Sequence, residues 1–202
     1  MTASVYVLGL TGSIASGKST AAGYFRAAGV PVWDADTAVG RIYAQDRDVI
    51  ARVSEICPEA AREGKIDRDV LRRRIQTTPS LLGKIEAIVH PLVRADRDTF
   101  IEKAAESGSR LVVCEIPLLF ETGAETSCDG VLAMVTTPEE RRRRVLARPG
   151  MSEETLNVLL GRQIPDEERL SRADFVIESG SLSSVEREVG ALIDRITHRV
   201  AG

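Results

Sequence analysis

The chain has 202 residues, 43% hydrophobic and 28% charged, which is enough apolar content for a packed core and too much for intrinsic disorder. Its 27 Lys and Arg against 30 Asp and Glu leave a net charge of -3, so there is no overall basic footprint for nucleic acid. No apolar run approaches the roughly 20 residues of a membrane-spanning helix, and Cys57, Cys114 and Cys128 are too scattered for a disulfide framework or a zinc site, which fits reduced thiols in a cytoplasmic protein.

The N-terminus, Met1-Thr2-Ala3-Ser4, lacks the basic region of a signal peptide. Val5 to Leu10 is a short apolar run that reads as a strand buried on both faces. A helix is predicted from Lys18 to Ala28, with Gly29 as its stop. Val30 to Trp33 reads as a second strand ending at Asp34-Ala35-Asp36. Residues 37–106 are helical in pattern with no convincing strand, and Pro91 should kink or divide the stretch that carries Leu81, Leu82, Ile85, Ile88, Val89 and Leu92.

Leu111 to Ile116, Val131 to Val135 and Phe175 to Ile177 complete five predicted strands. A charged helical segment, 138–172, separates the last two. The final helix shows one apolar stripe of Leu182, Val185, Val189, Leu192, Ile193, Ile196 and Val200. Strands alternating with helices predict an α/β fold with a five-stranded parallel sheet covered on both faces. Residues 37–106 and 138–172 then read as insertions on a core made of 1–36, 107–137 and 173–202.

Gly12-Ser13-Ile14-Ala15-Ser16-Gly17-Lys18-Ser19 matches the phosphate-loop pattern without a gap, between a strand and a helix. The glycines allow a turn that points successive N–H groups at phosphate oxygens, aided by the helix N-terminus. Lys18, one of few lysines in an Arg-rich chain, would reach the β- and γ-phosphates, and the Ser19 hydroxyl would ligate Mg²⁺. This pattern implies nucleoside triphosphate binding and leaves the fate of the phosphate open.

Gly9 to Thr20 resembles the opening of the dephospho-coenzyme A kinases. So do Val32-Trp33-Asp34-Ala35-Asp36, His90-Pro91-Leu92-Val93, Ile116-Pro117-Leu118-Leu119-Phe120-Glu121, Arg162-Gln163-Ile164-Pro165-Asp166-Glu167-Glu168-Arg169 and Ala173-Asp174-Phe175-Val176-Ile177, in the family's order. The resemblance implies a three-layer P-loop NTPase-type fold and ATP-dependent phosphorylation of the ribose 3′-hydroxyl of dephospho-CoA, the last step of coenzyme A synthesis. It makes 37–106 a helical acceptor-binding domain and 138–172 a lid. Ser13 and Ala15 stand where glycine is frequent, Glu115 where Asp is common and Arg169 where Lys is common. Arg41 lies one residue further from Asp36 than the arginine of many relatives.

Asp36 follows the second strand at the carboxyl edge of the sheet, where it could take the acceptor's proton or orient its hydroxyl; capping the next helix is the alternative. The resemblance implies the base role. Asp34 is a second candidate, for the same site or for water on Mg²⁺. Arg141, Arg144 and Arg148 recur at i, i+3 and i+7, so they are expected on one helix face, where mutual repulsion calls for an anion between them. The resemblance puts Arg144 and Arg148 in the lid, so Arg144 is expected to stabilise charge on the transferring phosphoryl group and Arg148 to lie near the nucleotide.

His90 is a substrate-facing or packed residue, and Pro117, Leu118, Leu119 and Phe120 form either a wall for the pantetheine arm or core. Glu115 would hold a Mg²⁺-bound water or pair with a basic neighbour. The expected ATP contacts are residues 12–20, namely Gly12, Ser13, Ile14, Ala15, Ser16, Gly17, Lys18, Ser19 and Thr20, together with Arg148. The expected partner is a small molecule, with no nucleic acid and no membrane, bound by a monomer, although the sequence leaves oligomers open. Other small-molecule kinases share the loop and the arginines. A GTPase-type switch is disfavoured because the one Asn, Asn157, is followed by Val158, so Asn-Lys-x-Asp is missing.

Overall fold

The computed structural model describes residues 5–200, with the side chains of Arg199 and Val200 outside the description. The tetrapeptide Met1-Thr2-Ala3-Ser4 and the Val200 position of the apolar stripe therefore lie outside the described side chains. The chain divides into two compact units, one through Trp33 and again from Ile101, the other Asp34–Phe100.

The first unit holds strands β1 (Tyr6–Gly12), β5 (Leu111–Glu115), β6 (Gly130–Val135) and β7 (Phe175–Glu178), and the sheet is completed at one edge by β2 (Val32–Asp34). Strand order is β2-β5-β1-β6-β7, and β1 pairs in parallel with both β5 and β6, as β6 does with β7. The five predicted strands are all present. The continuous apolar runs of the inner strands β1, β5 and β6 reflect burial on both sides, the usual state of a parallel sheet, whereas the edge strands β2 and β7 are partly exposed. Leu8, Leu10, Val113, Leu132 and Met134 pack with Ala21, Ala22 and Phe25 of α1 (Lys18–Ala27) and with Val185, Val189, Leu192 and Ile196 of α9 (Leu182–Val200). Leu182, placed in the same stripe by the sequence, is exposed at the start of α9. On the opposite face, a Cβ on Gly9 would come within 2.6 Å of Leu119 Cδ1, so glycine is needed there for the close approach.

Segment 138–172 lies inside this first unit and is not a third body. It comprises α6 (Pro138–Leu146), α7 (Glu153–Leu160) and α8 (Asp166–Arg172). Thr137 caps α6 by accepting from the Glu140 N–H at 3.2 Å, and Ser152 caps α7 by accepting from Thr155 N–H at 3.2 Å.

The second unit contains α2 (Ala35–Gln45), α3 (Arg47–Ile56), α4 (Arg68–Thr77) and most of α5 (Leu81–Glu106) around a core of Ile42, Val49, Val53, Val70, Leu71, Ile85, Ile88 and Val89. Two expectations are corrected here. Helix α5 runs through Pro91 as one element and is not divided there, since a proline removes a single intrahelical N–H and the apolar stripe around it stays packed. A small antiparallel hairpin, β3 (Ala61–Arg62) and β4 (Lys65–Ile66), interrupts a stretch that the sequence pattern reads as mostly helical with no convincing strand. Its turn residues Glu63 and Gly64 both take positive φ, 50° and 75°, as a two-residue hairpin turn of the primed type requires.

Candidate active site

The order of the sheet makes a switch point beside β1: the chain leaves β1 for β2 on one side and later crosses to β6 and β7 on the other. Ligands of open parallel sheets bind at such a point, outside the carboxyl ends of the strands. The loop after β1 and the end of β5 meet there, with Leu10 in register with Glu115.

Gly12 and Gly17 shape the loop. A Cβ on Gly12 would fall 2.5 Å from the Met134 carbonyl oxygen, and Gly12 adopts φ 152°. Gly17 sits in the left-handed region at φ 89° as the N-cap of α1 and offers no side chain to cap it. No acid stands in the first turn of α1 either, so its leading N–H groups keep their capacity to donate to an anion. Ala15 is also left-handed, at φ 59°, a conformation that costs a residue with a Cβ about 1 kcal/mol. The hydroxyls of Ser13 and Ser16 are buried in the same loop without a protein hydrogen-bond partner. Buried unpaired hydroxyls cost stability and are found where a ligand uses them.

Lys18 leads α1, and its ammonium donates to the carbonyl oxygens of Gly12 at 2.7 Å and Ser13 at 3.3 Å. Those bonds hold the charge over the loop. The Ser19 hydroxyl donates to Glu115 Oε1 at 3.4 Å, although the two residues are 96 positions apart. Glu115 is 6% exposed at the end of β5. One hydroxyl and one carboxylate are an all-oxygen pair suited to Mg²⁺, which takes few protein ligands and fills its sphere with phosphate oxygens and water. No cluster of three or more His, Cys, Asp or Glu side chains suited to a metal is found among the described residues.

Arg144 of α6 also reaches this loop. Its Nη1 donates to the Ala15 carbonyl oxygen at 3.2 Å and to Ser179 Oγ at 2.6 Å, while its Nε donates to Glu140 at 2.6 Å. Glu140 is shared with Arg143, and hydrogen bonds first from Arg143 and then from Arg144 hold its pKa down at about 2. Arg141 does not join Arg144 in an open anion site: it is buried and ion-paired to Asp166. Arg148 lies beyond the last residue of α6, exposed, so the expected three-arginine face is not formed. The anion that relieves the repulsion at Arg141 is a carboxylate of the protein.

In the second unit, Asp34 accepts from the Thr37 N–H at 2.6 Å and is the cap of α2. The capping alternative for Asp36 is thereby removed, and the carboxylate of Asp34 is engaged. Asp36 sits in the first turn of α2 with its side chain 72% exposed, 3.6 Å from Arg68 Nη2; Arg68 Nη1 donates to the Asp36 carbonyl oxygen at 3.3 Å. Arg41 pairs with Asp96. His90 is half-buried on α5.

A family model for dephospho-CoA kinase matches residues 6–184, nearly the whole chain. The chain belongs to the dephospho-CoA kinase family. It is 50% identical over 192 residues to the dephospho-CoA kinase of Jannaschia sp., covering 95% of this chain and 97% of that one. It is 44% identical over 196 residues to the dephospho-CoA kinase of Brucella melitensis, covering 96% and 97%. The solved dephospho-CoA kinase from Campylobacter jejuni superposes with a TM-score of 0.72 at 27% identity, over 95% of this chain and 97% of the other. The fold is thus the α/β kinase fold with a five-stranded parallel sheet, and the GTPase-type alternative falls away.

Set against this kinase family, the structure gathers Lys18, Ser19, Glu115, Ala15 and Arg144 in one place. Leu119 and Phe120 are a correction to the wall reading: both are buried, packed with Val131, Ile116 and Cys128, and so serve the core. Pro117 uses its carbonyl oxygen to accept from Thr11 Oγ1 at 3.2 Å, and Leu118 is the exposed member of the block, at 38%. Sequence reasoning missed Gln163, whose Oε1 accepts from Ile14 N–H at 3.2 Å, and Arg68 beside Asp36. For Arg68 the signal was a basic residue at the start of a helix. Gln163 stood only as one member of the resemblance block 162–169, and nothing in the sequence signalled a contact that spans 149 residues.

Proposed function

We propose that this kinase transfers the γ-phosphoryl group of ATP to the ribose 3′-hydroxyl of dephospho-CoA, yielding coenzyme A and ADP. The observation that carries this reading is the Ser19–Glu115 pair at 3.4 Å beside the Lys18-bearing loop, in a chain matched by the family model from residue 6 to 184. Lys18 and the loop N–H groups, apart from that of Ile14, which Gln163 Oε1 engages, hold the triphosphate. Gly12 and Gly17 give the backbone its approach, and the Ser13 and Ser16 hydroxyls are the buried polar groups that a bound phosphate would satisfy.

The residues that fit Mg²⁺ are Ser19, directly, and Glu115, through water. Held by these residues, Mg²⁺ would supply positive charge to offset what builds on the phosphates. Arg144 adds positive charge from α6, with its guanidinium already aimed by Glu140 and Ser179. Asp36 orients the acceptor hydroxyl and takes its proton, and its exposure leaves the carboxylate accessible to a substrate. Segment 138–172 acts as a lid that excludes water and suppresses wasteful ATP hydrolysis, and Arg148, exposed past α6, meets the nucleotide. His90 and Leu118 are assigned to the acceptor, with residues 37–106 as its binding domain. A cytoplasmic location is the reading supported by the scattered spacing of Cys57, Cys114 and Cys128, and a monomer is the state expected for it.

The test is an acceptor screen with ATP and Mg²⁺. Turnover of dephospho-CoA well above that of nucleosides, nucleoside monophosphates and shikimate supports the reading. Robust turnover of a nucleoside monophosphate with none of dephospho-CoA overturns it.

A further inference from the structure

The backbone of Ile14 and Ala15, at the apex of the phosphate loop, is gripped from the 138–172 segment at two points. Arg144 takes the Ala15 carbonyl, and Gln163 Oε1 takes the Ile14 N–H at 3.2 Å. Gln163 lies in the short connection between α7 and α8, half-buried, with its own N–H donated to the Leu160 carbonyl oxygen at 3.0 Å.

That connection is unusually well anchored. The next residue, Ile164, donates its N–H to Glu121 Oε1 at 2.9 Å and accepts at its carbonyl from Arg169 Nη2 at 3.1 Å. Arg169 in turn lies 3.6 Å from Glu121 Oε1. The three groups close a ring around one backbone residue. Arg169 is 1% exposed and also pairs with Asp166, which pairs with Arg141 of α6. Two arginines and two acids therefore balance in a partly buried network whose geometric effect is to fix the peptide next to Gln163. A network of this kind adds little net stability over an apolar replacement, so its position calls for another reason.

We propose that Gln163 is the positioning residue through which segment 138–172 sets the phosphate loop, and that the Glu121–Arg169–Asp166–Arg141 network exists to aim it. The chemistry of the side chain fits. The Ile14 N–H needs an acceptor, which excludes Lys and Arg. The neighbouring ligand is a polyanion, which penalises Glu. Gln supplies a neutral acceptor of sufficient reach. Its bond holds the peptide that enters the left-handed Ala15, where a loop with one non-glycine residue at positive φ is most prone to relax.

The proposal rests on the reading of Gly12–Ser19 as an ATP loop. Wild-type turnover of dephospho-CoA with ATP tests that reading separately, before any variant is compared. Steady-state kinetics of Gln163→Met and Gln163→Glu across pH then test the role of Gln163, with thermal melts to establish that each is folded. Met keeps the reach and loses the acceptor. Its KM for ATP is expected to rise about fivefold, the worth of one neutral hydrogen bond, with kcat and the KM for dephospho-CoA nearly unchanged. At about pH 8 the Glu variant is expected to bind ATP worse than the Met variant, because its carboxylate opposes the phosphates. As the pH falls and that carboxyl protonates, KM should return toward wild type, a step the wild-type profile lacks. ATP KM values equal to wild type in both variants would overturn the proposal. So would a Glu variant no worse than Met at high pH and without the pH step.

Discussion

Arg144 Nη1 lies 3.2 Å from the carbonyl oxygen of Ala15, tying α6 to the apex of the phosphate loop across 129 residues of sequence. The same guanidinium holds Ser179 Oγ, just past β7, at 2.6 Å, so one side chain joins the loop, the helix and the far edge of the sheet. A charge aimed in advance needs little reorganisation when the phosphoryl group moves. Arg144→Ala is expected to lower kcat by about 10²–10³, in the range seen when one preorganised donor is removed. A Lys at this position should restore only part of the loss, because an ammonium cannot reach Glu140, Ala15 and Ser179 in one plane. Steady-state kinetics of both variants check this.

Asp36→Asn should cut kcat by about 10²–10⁴ while leaving the KM for ATP near wild type, as expected for loss of a general base that acts on the acceptor hydroxyl and does not hold the triphosphate. Because Asp34 and not Asp36 caps α2, this substitution should leave the melting temperature almost unchanged. Asp34→Ala should do the reverse, costing about 1 kcal/mol of stability through the lost cap. Paired melts and rate measurements separate the two acids.

The acid branch of the stability curve should carry the signature of Glu140. Its carboxyl, ordinarily near 4.5, is held at about 2 by Arg143 and Arg144. A folded-state pKa below the unfolded one gives stabilisation that is complete above about 4.5 and is lost as the pH falls through about 2. Wild type should therefore exceed Glu140→Gln in stability at neutral pH, and the gap should close between those two values. A gap independent of pH in that window would contradict the assignment.

Much of this was legible in the sequence. The buried strands announced themselves as uninterrupted apolar runs, and Gly12 to Ser19 carries a pattern whose fixed residues have separate physical reasons. What escaped was set by tertiary distance or by fine helix boundaries. Asp34 and Asp36 are equally good caps until the first helical residue is known. The expected face of Arg141, Arg144 and Arg148 assumed a helix running past Leu146, although Pro149 and Gly150 already signal its end. Strands of two residues, such as Ala61–Arg62, are too short to show a period. Arg169 stood out only as an Arg where the family commonly has Lys, and nothing local in the sequence showed that it is among the most buried side chains of the molecule.

That burial gives a further expectation. Arg169→Ala leaves Glu121 and Asp166 without their shared partner and should destabilise the fold by about 3–5 kcal/mol, as other broken buried pairs do. Chemical denaturation of the variant measures it. A loss below about 1 kcal/mol would place the network in the class of exposed pairs.

Ala15 offers a gain. Ala15→Gly relieves a left-handed φ of 59° and is expected to raise stability by up to about 1 kcal/mol with ATP binding retained. Thermal melts with and without ATP read both parts.

The central claim is the position of phosphoryl transfer. The product formed from dephospho-CoA, ATP and Mg²⁺ can be examined by phosphorus NMR and by digestion with a 3′-nucleotidase. One new phosphomonoester per turnover is expected, on the ribose 3′-oxygen, with stoichiometric ADP and no product from the Lys18→Ala or Asp36→Asn enzymes on the wild-type timescale. A phosphate on any other oxygen, or ADP released with dephospho-CoA unchanged, would contradict it.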